Sequence, residues 1–372
     1  MKLTIERATL LKALAHVQSV VERRNTIPIL ANVLFDGQDG ALTLTATDMD
    51  LAITETVVAD IGQSGATTAS AHTLYDIVRK LPDGAQVEIE TDASADQLLI
   101  RAGRSKFNLA TLPVEDFPTM SGGDLPNTFL LEAEELRALV DRTRFAVSTE
   151  ETRYYLNGIY LHAAEDDGGV MLRAVATDGH RLARVQLPMP SGGSDIPGVI
   201  VPRKAVGELR KLIDETTDPV EVSLSDTRIR MNFDNAVLIS KLIDGTFPDY
   251  ERVIPIGNDK VLSVDRGTFA QAVDRVSTIS SEKSRAIKLV AGNGLLNLSA
   301  TSAENGSATE ELEVSFAHDT IEIGFNSRYL LDITAQIEND NAEFVFADAS
   351  SPTIVRDGGD MSALYVLMPM RV

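Results

Sequence analysis

The chain opens on a short apolar stretch closed by an acid, Leu3-Thr4-Ile5-Glu6, followed by Leu10, Leu11, Leu14 and Val17 at helical spacing. The pattern returns as Leu130-Leu131-Glu132 with Leu136, Leu139, Val140 and Val147. It returns again as Leu262-Ser263-Val264-Asp265 with Phe269, Val273 and Val276. Each predicts a strand running into an amphipathic helix, with the acid at the helix N-terminus, where its charge is favoured. Alternating Thr- and Val-rich runs at 42–48, 172–178 and 296–302 follow in phase and predict half-buried strands. A helix, an acidic turn and a strand then recur at 74–90, 205–222 and 329–346. Phe117-Pro118 and Phe247-Pro248 end the first two copies, and Met368-Pro369-Met370 ends the third.

Four markers in one order predict three similar domains, 1–125, 126–256 and 257–372, separated by polar Gly- and Pro-containing stretches. Each copy has two helices and many strands. Two helices covering one face of a curved antiparallel sheet make an α+β domain. The expected helices span 7–24, 72–81, 134–148, 202–213, 266–285 and 326–337, and the Gly/Pro-rich segment 188–198 reads as a loop.

Composition narrows the function. With 372 residues, 44% hydrophobic and 24% charged, the chain can bury several cores. The absence of cysteine excludes disulfides, thiolate metal sites and cysteine nucleophiles, and fits a cytoplasmic location. Glu6, Arg7 and Lys12 interrupt what would be a signal peptide, and no apolar run is long enough for a membrane helix. The net charge of −21 by itself argues against nucleic acid. Its distribution reverses that inference. The six helix windows hold 18 Lys and Arg against 9 Asp and Glu, whereas the rest holds 16 against 46. Arg23-Arg24, Arg79-Lys80, Arg203-Lys204, Arg210-Lys211, Lys283 and Arg285 carry most of the excess. Basic helices in an acidic remainder suit a polyanion held on the helical face and repelled elsewhere.

No catalytic constellation emerges, so neither enzyme activity nor a cofactor or metal is expected. The five histidines form no ligand pair, and no phosphate-binding GxxxxGK[ST] loop exists. Gly292-Asn293-Gly294 reads as a hairpin turn. Thr177-Asp178-Gly179-His180-Arg181 sets an acid beside a histidine, but Asp-Gly is a turn dipeptide. Copy one has Thr47-Asp48-Met49-Asp50 there, so the turn reads as a binding specialisation of copy two. Arg153-Tyr154-Tyr155-Leu156-Asn157, unique to copy two, puts a base beside two aromatics. The apolar C-terminus, 368–372, has two methionines, which pack adaptably against varied partners. Arg101, Arg104 and Lys106 in copy one oppose Glu304, Glu310, Glu311 and Glu313 in copy three, charges that suit head-to-tail pairing. The alternatives are a repeat scaffold with no DNA role and a hydrolase using Asp178 and His180.

The stretches 153–158, 176–182, 247–250 and 365–371, in this order and spacing, resemble the bacterial sliding clamps, the beta subunits of the replicative DNA polymerase. The resemblance runs from the first residue to the last. It implies the DNA clamp fold and a head-to-tail homodimeric ring that encircles duplex DNA without sequence specificity. Such a ring slides and tethers the replicative polymerase, with the clamp loader and other clamp-motif peptides as further partners. It implies a partner-peptide groove at Leu156, Thr177, Gly179, His180, Arg181, Leu182, Pro248, Arg252, Val253, Asn326, Tyr329, Val366, Met368, Pro369, Met370 and Arg371. DNA contacts are expected at Arg24, Tyr154 and Tyr155, to which the charge pattern adds Arg79, Arg203 and Lys204, and the aromatic cluster its own Arg153. The dimer interface is expected at Arg101, Arg104, Lys106, Thr278, Ile279, Glu304, Glu310 and Glu311. Thr278, Pro352 and Glu150 depart from residues that family members can carry at the interface, groove and DNA surface.

Overall fold

The computed structural model describes residues 1–92, 96–166, 168–281 and 285–372; Lys283, counted among the helix cations, lies outside the described residues. Copy one runs β1 (Lys2–Glu6), α1 (Arg7–Val20), β2 (Asn32–Gln38), β3 (Ala41–Thr47), β4 (Leu51–Val58), β5 (Asp60–Gln63), β6 (Gly65–Ser70), α2 (Ala71–Lys80), β7 (Gln86–Asp92), β8 (Gln97–Ala102) and β9 (Ser105–Ala110). Copy two runs β10 (Asn127–Leu131), α3 (Ala133–Arg144), β11 (Gly158–Asp166), β12 (Gly169–Thr177), β13 (Arg181–Pro188), β14 (Val199–Pro202), α4 (Arg203–Ile213), β15 (Val220–Leu224), β16 (Arg228–Asn232) and β17 (Ala236–Lys241). Copy three runs β18 (Lys260–Asp265), α5 (Arg266–Ser277), β19 (Ala286–Gly292), β20 (Leu295–Ser302), β21 (Gly306–Glu313), β22 (Ile321–Asn326), α6 (Ser327–Thr334), β23 (Asn341–Phe346), β24 (Thr353–Asp357) and β25 (Asp360–Leu367). The element order is the same three times, with β5 the one addition.

Local chemistry sets the helix starts. Glu6 accepts from Thr9 N at 3.2 Å and Asp265 from Thr268 N at 2.7 Å, each satisfying a donor the helix leaves unpaired. Glu132 works in reverse: its backbone N–H donates to the Glu135 carboxylate at 3.2 Å. Several helices end earlier than the periodicity predicts. In α5 the Ser277 and Thr278 hydroxyls turn back onto the Asp274 carbonyl, at 2.8 and 3.3 Å. Such bonds compete with helix continuation. Asn293 and Gly294 turn the β19–β20 hairpin at φ 54° and 77°, the left-handed pair that matches strand twist.

By its contacts the chain divides into two compact units, Met1–Arg137 with Pro190–Leu242, and Ala138–Met189 with Ile243–Val372. In the first, the sheet β5-β1-β7-β8-β9 stands beside a second sheet ordered β10-β15-β16-β17-β4-β3-β2-β6. Helix α1 packs on α2, α4 and β4 and buries Leu10, Leu14 and Val17 completely. In the second unit, β11-β12-β13-β25-β24-β23-β18 follow edge to edge, and β21-β20-β19-β22 form another sheet. Helix α5 packs on α6, and Phe269 packs against Phe344 with ring centres 5.1 Å apart and the planes tilted by 56°.

The sheets therefore run through the repeat boundaries instead of stopping at them. Strand β17 of copy two pairs β4 of copy one, from Ala236↔Glu55 to Ser240↔Leu51. Strand β13 of copy two pairs β25 of copy three, from Arg181↔Leu367 to Val185↔Ala363. Edge strands that would stand exposed in isolated domains are thus covered. Among the described residues, no helix is long and apolar enough to cross a membrane.

Candidate functional site

The second unit carries an apolar groove of about 270 Å³. Tyr155 and Leu156 reach it from the 3₁₀ turn Glu151–Leu156, and Leu182 and Val366 from paired positions on β13 and β25. Pro248 and Val253 come from the connection after β17, and Met368 from the C-terminal tail. Thr177, Gly179, Arg153 and Arg181 complete the rim.

The turn at 177–181 has the same hydrogen bonds as its counterpart at 47–51. Thr177 Oγ1 donates to Arg181 O at 2.7 Å, and Asp178 Oδ1 accepts from His180 N and Arg181 N at 2.9 and 3.0 Å. In copy one, Thr47 Oγ1 donates to Leu51 O at 2.9 Å, and Asp48 Oδ1 accepts from Asp50 N and Leu51 N at 2.9 and 2.7 Å. Both turns need a left-handed residue third from their end, Met49 at φ 76° and Gly179 at φ 90°. The two differ in what lies above. A Cβ on Gly179 would stand 2.5 Å from Arg153 Nη1. Arg153 crosses that spot to donate from Nη2 to Asp178 O at 3.0 Å and from Nε to Glu150 at 2.8 Å. The Arg153 bond, more than the charge, holds the Glu150 carboxyl below its ordinary range.

Arg181 is fixed at the rim by three partners. Its Nε donates to Asp178 Oδ2 at 3.1 Å, its Nη1 to Asp332 Oδ2 of α6 and its Nη2 to Phe145 O. The guanidinium lies 4.3 Å from the Tyr329 ring centre. Tyr329 thus stands beneath the rim, and Asn326 caps α6 by accepting from Arg328 N at 3.0 Å. Neither they nor His180, Arg252, Pro369, Met370 and Arg371 line the cavity itself. Pro352 is also outside it; its carbonyl accepts from Asn258 Nδ2 at 2.9 Å. With Asp178 committed to four donor contacts counting the Arg181 guanidinium, the Asp-Gly-His turn is built as a scaffold.

The predicted DNA residues divide by their engagement. Arg24 and Arg203 are exposed and make no ion pair among the described residues, as are Arg23 and Lys80, which the charge pattern marks too. Arg79 pairs with Asp76 at 3.1 Å on the surface. Lys204 is tied to Asp48 and to Glu22, the latter at 3.2 Å, so its charge is already compensated. Burial opposes the Lys204 charge, but those two carboxylates raise its pKa above the ordinary value. Tyr154 is 53% exposed, whereas its neighbour Tyr155 turns into the groove. One short turn therefore supplies both surfaces.

The predicted interface residues sit at two sheet edges. Strand β9, carrying Lys106, ends the five-stranded sheet; Arg104 is in the hairpin before it and Arg101 on β8. Strand β21, carrying Glu310 and Glu311, ends the four-stranded sheet. Glu304 lies in the hairpin before β21, and Thr278 and Ile279 follow α5. Glu310 is engaged within the chain by Arg275.

Sequence reasoning did not single out His16, which is 7% exposed. Its Nδ1 meets Glu55 at 2.6 Å and its Nε2 meets Glu215 at 3.0 Å, while Lys12 holds Glu215 at 2.7 Å. Burial works against the imidazolium, but the Glu55 bond and charge, then Glu215, outweigh it and raise its pKa. The signal for this cluster was a histidine on the apolar face of α1, which in sequence looks like a core residue.

Three repeated copies of strand-helix units, exposed cations on or near helix ends and an apolar groove are features that fit a DNA clamp. Family models described as the N-terminal, central and C-terminal domains of the DNA polymerase III beta subunit match residues 1–121, 130–249 and 251–371. The Beta sliding clamp of Caulobacter vibrioides is 54% identical over 372 residues, covering 100% of both chains, and that of Pseudomonas aeruginosa 42% over 373, again covering both. A solved sliding clamp from Bartonella birtlesii, bound to griselimycin, has 50% identity, a TM-score of 0.97 and full coverage of both chains. The chain belongs to the bacterial sliding clamp family, the beta subunits of DNA polymerase III. It is a DNA polymerase processivity factor.

Proposed function

We propose that two copies of the chain close head-to-tail into a ring around duplex DNA, and that the groove at Leu156, Leu182, Val366 and Met368 tethers the polymerase. The three-domain division 1–125, 126–256 and 257–372 belongs to this reading. So do the cytoplasmic location and the clamp loader as the partner that opens the ring. The observation that carries it is the match of three clamp-domain family models along the whole chain. Its closure is supported by two unpaired edges of opposite charge, Arg104 and Lys106 near β9 against Glu304 and Glu311 near β21. Such an interface uses different surfaces on the two partners and closes only if the rotation fits.

The chain does no chemistry of its own in this reading. Topological linkage makes weak phosphate contacts sufficient, so the ring slides. Tethering then raises the effective concentration of polymerase at the primer end. The groove suits a short extended peptide with apolar anchors, because Leu156, Leu182, Val253, Val366 and Met368 give it apolar walls while Arg153, Thr177 and Arg181 place donors at its rim. Arg24, Arg203 and Tyr154 are the strongest candidates for DNA, and Arg79, Lys204, Arg153 and Tyr155 are the more engaged ones. The test is primer extension with polymerase and loader. The chain should lengthen the products, and an excess of free groove-binding peptide should shorten them again; products of unchanged length without the peptide would refute the reading.

A further inference from the structure

The C-terminal tail after β25 is held at two backbone points. Met368 N donates to His180 O at 2.9 Å, and Met370 N donates to Gly324 O at 2.8 Å. The second bond makes an isolated antiparallel bridge, Gly324↔Met370, on β22 at the edge of its four-stranded sheet. Gly324 is buried although it sits on an edge strand, because the tail covers it. A Cβ there would stand 2.7 Å from both Met370 O and Val372 Cγ2, and would also strike Val372 Cγ1. Gly324 is not among the residues with left-handed backbone, so no turn requires a glycine at this position. What requires it is the close passage of another segment.

Two residues before that bridge is Met368, whose side chain lines the groove. Gly324 itself does not. We propose that Gly324 is a positioning residue for the groove: it seats the tail on the edge of β22 and so holds Met368 against bound partner peptides. The inference rests on the groove reading above. It assigns a role to a residue remote from the lining, and it makes the groove wall depend on a strand edge that any side chain would block.

The experiment is a cycle of Gly324→Ala, removal of residues 368–372, and both together. A short fluorescein-labelled peptide with leucine and phenylalanine anchors is the probe, and hydrogen exchange at the C-terminus is a second readout. Met370→Pro, which removes the donor without touching β22, is the alternative should Gly324→Ala fold poorly. Gly324→Ala and Met370→Pro should each expose the tail amides and weaken peptide binding about tenfold or more, as loss of an anchor contact does. Gly324→Ala should add nothing once the tail is gone, since coupled groups are non-additive. A tail that stays protected, or an equal loss with and without it, would overturn the proposal. Val253→Asp, on an exposed part of the wall, separates the two readings. If it weakens binding and Gly324→Ala does not, only the positioning role falls; if neither does, the groove reading falls with it.

Discussion

Gly179→Ala should separate the two demands that meet at the groove rim. The first is conformational: φ is +90°, and an L side chain in left-handed space costs about 1–2 kcal/mol. Met49 carries the same strain at φ 76° in the equivalent turn, so the backbone tolerates a side chain when nothing lies above it. The second demand is steric. The new methyl would sit 2.5 Å from Arg153 Nη1, which must swing off the Asp178 carbonyl. The strain alone should lower the melting temperature by about 2–8 °C, at 2–4 °C per kcal/mol for a unit of this size. Peptide affinity should fall as well, because Arg153 lines the groove. Both effects can be measured by calorimetry and peptide titration in the wild type and in Arg153→Ala. In the Arg153→Ala background the methyl should still destabilise but leave affinity unchanged. An unaltered melting temperature, or an equal loss of affinity in both backgrounds, would refute the reasoning.

Arg24→Ala and Arg203→Ala should each weaken retention on DNA and flatten its salt dependence by about 0.9 per lost phosphate contact. Lys204→Gln should change retention less, since Asp48 and Glu22 already engage that ammonium. A larger loss at Lys204 than at Arg24, read from salt elution off DNA, would contradict this assignment. His16 has a pKa raised by folding, so folding takes up a proton there. Its stabilisation should be complete below the ordinary value of about 6.5 and lost as pH rises through the higher folded value. Urea melts of the wild type and His16→Asn should converge as pH rises through that folded value; parallel curves would show that the imidazolium contributes nothing.

The threefold repeat was legible because strand-to-helix switches recur with their capping acids, and Glu6 and Asp265 do cap. The groove's Leu182 and Val366 were legible only through the family resemblance, since aliphatic residues on strands look like core, whereas the 153–157 cluster, the 177–181 turn and the 368–372 tail stood out by themselves. Three features were not legible. Sheet continuity across repeats depends on edge pairing between residues far apart, such as Ala236 and Glu55, which local pattern cannot reveal. The neutralisation of Lys204 joins residues 156 positions apart, so a count of helix charges overstates its availability. Gly324 reads in sequence as a weak point in a strand, and only the tail above it explains the glycine.

The most direct test of topological binding is retention on DNA with and without ends. Loaded onto a nicked circle, the chain should elute with the DNA at high salt, as a dimer of about 80 kDa, twice the 40.2 kDa of one chain. Cutting the circle once should release it, because sliding off an end breaks no bond. Equal retention on circular and linear DNA would contradict the ring and replace it with ordinary phosphate binding.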